Sequence, residues 1–213
     1  MRITLLVDDK KSWIIPYVIE LKNELSSLGH EVNYINDHSS IKNGDLAFFL
    51  GCTKVVNADI LLKNKKNFVI HESELPKGKG FSPLSWQILE GKNEIPIQLL
   101  EAVDIVDSGS IYLEDKIILV GNELLSEIKH LQGILTKKMV LEFINRYPNI
   151  EGKKQSGESS YYRRRTPKDS ALDLNKTLLE QFNLLRIVDN EKYPAFFEQD
   201  RYKYIIKIYK EKL

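Results

Sequence analysis

Short unbroken apolar runs and stretches of helical spacing alternate through the first seventy residues. Ile3-Thr4-Leu5-Leu6-Val7 is apolar and β-branched throughout, the pattern of a strand covered on both faces. Trp13 reads as exposed loop, Pro16 suits a first helical turn, and Val18, Leu21, Leu25 and Leu28 then recur three and four apart up to Gly29. Strands are predicted at 32–35, 45–50 and 67–70, with a brief helix at 58–62 between the last two. A third helix is predicted at 83–89, closed by Gly91, followed by an extended run from Ile95 to Val103. Gly109 to Leu119 reads as two short extended pieces, and 123–147 as the longest helix. A further helix is expected at 176–185, then an aromatic turn at Tyr193-Pro194-Ala195-Phe196-Phe197 and a strand at 204–209. The pattern predicts an α/β fold: a mostly parallel, Rossmann-like sheet with helices on both faces, plus a small C-terminal extension. Composition changes after Pro148, so a main domain over 1–150 and a lobe over 151–213 packed on it are expected.

One stretch stands out from this scaffold. The strand ending at Ile70 delivers His71 and Ser73 into a loop punctuated by Pro76, Gly78, Gly80 and Pro83. Open α/β sheets place chemistry in loops at the carboxyl ends of strands. A neutral imidazole there can take a proton from an attacking amine or alcohol, given an acid to orient it. Asp107, in Val106-Asp107-Ser108-Gly109, and Asp104 in the same turn are both candidates. Ser73 has no Gly-x-Ser-x-Gly elbow around it and reads as a loop-ordering or capping residue. Neither the phosphate-loop pattern nor Gly-x-Gly-x-x-Gly after the first strand is present, and no metal-ligand spacing is evident, so no metal is expected. The residues alone predict a metal-free α/β enzyme with a His–Asp pair, performing proton or acyl transfer.

Charge narrows the partners. With 31 Lys and Arg against 30 Asp and Glu, the net charge of +1 advertises neither a nucleic acid nor a membrane. No apolar run approaches a membrane span and no signal-peptide pattern opens the chain. The single cysteine, Cys52, excludes an internal disulfide, so a cytoplasmic location is expected. Exposed aromatics in the C-terminal lobe are compatible with a homodimer.

The stretch His71, Ser73, Leu75, Pro76, Gly80, Pro83, Trp86, Ile88 and Gly91, followed by Asp107-Ser108-Gly109, resembles the formyltransferases that use 10-formyltetrahydrofolate. The resemblance covers about residues 45 to 147 and implies a catalytic domain over 1–150. It implies formyl transfer to a primary amine, with His71 as general base and Asp107 as its partner. The family carries an asparagine two residues before the histidine as donor to the developing oxyanion. Val69 stands there in this chain, and Asn67 is the nearest asparagine. Folate contacts are implied at Gly51, Lys54, Val55 and Val56 on one side and at Val103, Asp104 and Val106 on the other. Transfer-RNA enzymes of the family carry an extra C-terminal barrel, for which this chain leaves no room. The loop is most similar to that of small nucleotide-sugar N-formyltransferases, some of which serve pseudaminic-acid-type and other polysaccharide pathways. A nucleotide-linked amino sugar as acceptor would meet Trp13, Ser73, Lys77, Lys79, Tyr161, Tyr162, Arg163, Arg164 and Arg165 through stacking and charge. Glycinamide ribonucleotide as acceptor, or folate binding without catalysis, are the alternatives.

Overall fold

The computed structural model describes residues 1–212. Its sheet is built from β1 (Arg2–Leu6), β2 (Glu31–Ile35), β3 (Gly44–Phe49), β4 (Asn64–His71), β6 (Glu94–Glu101) and β7 (Ile111–Ile118). The order is β2-β1-β3-β4-β6-β7. The four strands β2, β1, β3 and β4 are parallel to their neighbours, and β6 and β7 add antiparallel to one edge. The helices are α1 (Ile15–Ser27), α2 (Ala58–Leu61), α3 (Pro83–Leu89), α4 (Leu125–Arg146) and α5 (Phe182–Ile187). The short β5 (Lys79–Gly80) pairs with β8 (Tyr161–Tyr162), and β9 (Ala195–Gln199) forms a hairpin with β10 (Tyr202–Ile206). This is the mostly parallel sheet flanked by helices that the apolar pattern predicts, with a C-terminal extension.

Strand alternation decides what each face carries. Leu5, Phe48 and Phe68 point with α1 and α4 into the larger core, where Phe143 of α4 meets the Phe68 ring at 4.2 Å. Leu6, Phe49 and Val69 point to the other face, against Ile60 of α2. His71 therefore projects from the α2 face and Glu72 from the α4 face, a division confirmed by a 2.6 Å bond from Gln132 of α4 to Glu72.

Four local expectations are corrected. Residues 111–118 form one strand, because β6 pairs along its length, with a register shift at Leu99 and Leu100 as the only irregularity. The helix expected at 176–185 begins only at Phe182: Asp173, Thr177, Glu180 and Gln181 close side-chain turns before it. The aromatic segment at 195–197 is a strand, since β10 satisfies its backbone. Trp13 is half-buried against the larger core rather than loop surface, packed edge-on to Tyr17.

The C-terminal residues are fastened to the sheet. Arg186 of α5 is fully buried, donating to the Glu123 carboxylate at 2.8 Å, to the Glu123 carbonyl at 3.1 Å and to Asn93 at 3.0 Å. Burial pushes the Glu123 carboxyl up, but the Val120, Gly121 and Glu123 backbone N–H groups and the Arg186 charge prevail and hold it below the usual range.

Candidate active site

His71 ends β4 and is buried. Its Nε2 lies 2.8 Å from the Gly78 carbonyl, so the ring proton there is donated to that oxygen. Its Nδ1 faces the Asp107 carboxylate at 3.6 Å. Both neighbours are acceptors, so a ring that takes up a second proton finds a partner at each nitrogen. The pair stands at the carboxyl end of the parallel strands, 36 residues apart in sequence (107 − 71).

Asp107 is held with care. The Gly80 N–H donates to its second oxygen at 2.8 Å, and Gln155 donates to the carbonyls of Asp107 and Gly109 at 2.9 Å each. Its φ of 53° is in the left-handed region, which is uncommon outside glycine and is maintained only where surrounding contacts enforce it. Gly109 passes so close to the Glu101 carbonyl that a side-chain carbon would overlap it. Lys79 is buried and donates to Ser108 Oγ at 2.7 Å, which brings an ammonium group to the same turn.

The loop after His71 is shaped by the residues after Gly157. Ser160 Oγ accepts from Gly78 N–H at 2.9 Å, the Ser160 carbonyl from Lys79 N–H at 2.9 Å, and the Tyr162 carbonyl from Phe81 N–H at 3.0 Å. At Gly80 φ is 96° and an added side-chain carbon would sit 2.5 Å from the Tyr162 carbonyl. The arginine run lies along this strap. Arg163 stacks over Trp86 and forms a two-pronged ion pair with Asp169, which holds the Asp169 carboxyl well below the usual range. Arg164 lies 4.2 Å over Phe81 and donates to the Thr53 carbonyl at 3.1 Å. Arg165 donates to the Asp169 carbonyl, and burial pushes its guanidinium down. Tyr162 stacks on Trp86 and donates to Glu90 at 2.7 Å, while Tyr161 is exposed.

Two residues do something other than expected. The Asn67 amide donates to the Leu61 carbonyl at 2.8 Å, four residues or about 13 Å of strand from His71, so it faces α2 and not the histidine. Ser73 is buried with no hydrogen-bond partner for its hydroxyl, so it caps nothing; it packs against Gly78. Lys77 is exposed. The loop Gly51, Lys54, Val55 and Val56 follows β3, and the Thr53 and Lys54 N–H groups donate to Asp8 at 2.9 and 2.8 Å. Val103, Asp104, Ile105 and Val106 are exposed, giving an apolar rim beside Asp107.

Glu72 was not visible as a site residue in the sequence. Burial pushes its carboxyl up, with the Asp107 charge adding to the effect against the His71 and Gln132 contacts. Gln155 and Ser160 also escaped notice, because their polar stretch has linker composition and only the fold brings it against Gly78 and Asp107.

A cleft of about 680 Å³ lies on the α1 and α4 side, lined by Trp13, Tyr17, Lys129, His130, Asp189 and Tyr209 among others. Tyr17 and His130 are joined across it at 2.8 Å. No helix among the described residues is long and apolar enough to cross a membrane.

No protein-family model matches the chain. A bifunctional polymyxin resistance protein ArnA of Wigglesworthia glossinidia brevipalpis is 29% identical over 183 residues, which is 83% of this chain and 27% of that protein. The chain therefore spans about a quarter of that relative's length. Among solved structures, a methionyl-tRNA formyltransferase from Clostridium thermocellum superposes with a TM-score of 0.84 at 22% identity, covering 100% of this chain and 94% of that one. A sugar N-formyltransferase from Shewanella sp. gives 0.72 at 16% identity, covering 100% and 99%. HypX of Aquifex aeolicus in complex with tetrahydrofolic acid gives 0.77 at 17% identity, covering 98% of this chain and 37% of that one. The chain has the fold of these solved structures, two of which are formyltransferases.

Proposed function

We propose that the protein transfers a formyl group from 10-formyltetrahydrofolate to the primary amine of a nucleotide-linked amino sugar. The observation that carries this is the His71–Asp107 pair, set at a strand's carboxyl end in a loop shaped by Gly78 and Gly80, within a formyltransferase fold. We assign the folate to the exposed apolar residues Val103, Ile105 and Val106 beside Asp107, with the loop after β3, where Val55 is also exposed, as a second contact. When bound, it supplies the activated formyl carbon.

The amine nitrogen adds to that carbon, and the tetrahedral adduct then expels the folate nitrogen, which takes up the proton the amine has lost. One amine proton must leave, and His71 is placed to hold it, with the Asp107 carboxylate fixing the ring and balancing its charge. The oxygen of the formyl group gathers negative charge during addition. Val69 offers no donor and Asn67 is turned toward α2, so we assign this to the Lys79 ammonium held beside Asp107 at Ser108. The arginine run supports the reading indirectly. Arg163 and Arg165 are engaged with Asp169, so they brace the catalytic loop and leave Arg164 and Lys54 nearer the exposed surface by the loop after β3.

The sugar acceptor is compatible with the likeness to a sugar N-formyltransferase along its whole chain, a likeness the transfer-RNA enzyme shares, and is favoured by a formal charge of +1, which offers no general attraction to RNA. The test is formyl transfer from 10-formyltetrahydrofolate to a panel of UDP- and dTDP-linked amino sugars, with glycinamide ribonucleotide and charged initiator tRNA alongside. Turnover confined to a sugar nucleotide supports the proposal. Turnover only with one of the other two acceptors would replace it.

A further inference from the structure

Away from the His71–Asp107 pair, three different donor groups converge where β1, β3 and the turn after β2 meet. Asp8 follows β1, His38 opens a single 3-10 turn after β2, and Cys52 follows β3. Their ligand atoms all lie within 4.8 Å of one another. The geometry points to a Zn²⁺ site in which Asp8 oxygen, His38 Nε2 and Cys52 Sγ bind the ion and water completes a tetrahedron.

Several independent features converge on this. His38 Nε2 is buried and has no hydrogen-bond partner, at 3.5 Å from the Asp8 carboxylate. A buried, unpartnered ring nitrogen is costly to leave unsatisfied, and a metal bond removes that penalty. The Cys52 thiol donates to the Leu6 carbonyl at 3.4 Å, a bond it would give up on binding the ion as a thiolate. The Asp8 side chain is 1% exposed; the Thr53 N–H is shared between its two oxygens at 2.9 Å, the Lys54 N–H donates to one at 2.8 Å, and the Thr53 hydroxyl makes a 3.4 Å contact with the other that a metal bond would displace. Ligating carboxylates are oriented by outer donors in this way. Tetrahedral zinc with bonds of about 2.0–2.3 Å sets its donors roughly 3.3–3.8 Å apart. The Asp8–His38 spacing already matches, and a small rotation of a side chain closes the rest. A mixed nitrogen, oxygen and thiolate set suits zinc better than magnesium or calcium. Binding releases the Cys52 thiol proton to solvent. The ion would pin the loop from Gly51 to Val56 to the ends of β1 and β2, a structural task separate from proton transfer at His71.

The full chain, freed of metal by chelation, is titrated with Co²⁺ and then Zn²⁺. One equivalent of cobalt is expected to bind with an intense thiolate-to-metal charge-transfer band, which zinc then erases. Cys52 is the only cysteine, so that band reports this site alone. Cys52→Ser should abolish the band, and His38→Ala should weaken cobalt binding about tenfold or more. Absence of saturable binding and of the band in the unmodified protein overturns the site. Unchanged cobalt affinity in a folded His38→Ala protein overturns the ligand set. Should either variant fail to fold, as judged by circular dichroism, the spectrum of the unmodified protein decides. None of these readouts depends on formyl transfer, so the two proposals stand or fall separately.

Discussion

At the scale of single residues, the site is a pair whose surroundings decide its chemistry. His71 has a carbonyl at one nitrogen and a carboxylate at the other, an arrangement suited to holding a proton taken from an amine. Removing the base from such a step costs about 10²–10⁴-fold in rate. His71→Ala should therefore lower kcat by that order in steady-state assays, and near-normal turnover would remove His71 from the mechanism. Glu72 supplies a pH signature. Its folded-state value is raised by burial, so its contribution to stability is complete below the ordinary glutamate value of about 4.3 and is lost as pH rises through the raised value. Glu72→Gln keeps a hydrogen-bonding partner for Gln132 and removes the charge. It should raise the urea midpoint at neutral pH and leave it unchanged in acid. The sequence showed His71 and two possible aspartates; the left-handed backbone at Asp107 and its Gly80 contact select between them, and neither is a local property of the sequence.

Among elements, the strap at 160–165 and helix α5 do the bracing. Ser160 holds the Gly78 N–H, and the Gly78 carbonyl in turn accepts from His71, so a single residue links the serine to the histidine. Ser160→Ala should cost about 1 kcal/mol of stability and lower kcat more than it changes KM, because it moves the loop and not a substrate contact. Arg186→Ala leaves the Glu123 carboxylate buried without its cation, a change worth about 3–5 kcal/mol, to be read from urea unfolding. Helix existence was legible for α1, α2, α3 and α4 from their apolar positions. The start of α5 and the order of the strap were not, because they come from partners far along the chain. Low-complexity polar sequence at 151–160 has linker composition, yet Lys153 bonds with Ile111 and Gln155 with Asp107.

For the molecule as a whole, the C-terminal residues are tied to the sheet by buried charge, strand pairing and aromatic stacking. Fluorescence of Trp13 and Trp86 and far-ultraviolet circular dichroism should therefore report one coincident unfolding transition. Two separated transitions would show that the lobe folds by itself. What the sequence determined was the scaffold: two-sided apolar runs dictate buried parallel strands, and amphipathic spacing dictates the helices that cover them, because burial of apolar area is local in its pattern. The position of a histidine at a strand's end and of glycines in the following loop was likewise legible. Only the tertiary structure decided what those residues meet. Strand parity put His71 and Glu72 on opposite faces, turned Asn67 toward α2, and brought Asp8, His38 and Cys52 together from three strand ends. Contacts between residues 14 to 82 positions apart follow from how the sheet is ordered, and no spacing in the linear chain encodes that order.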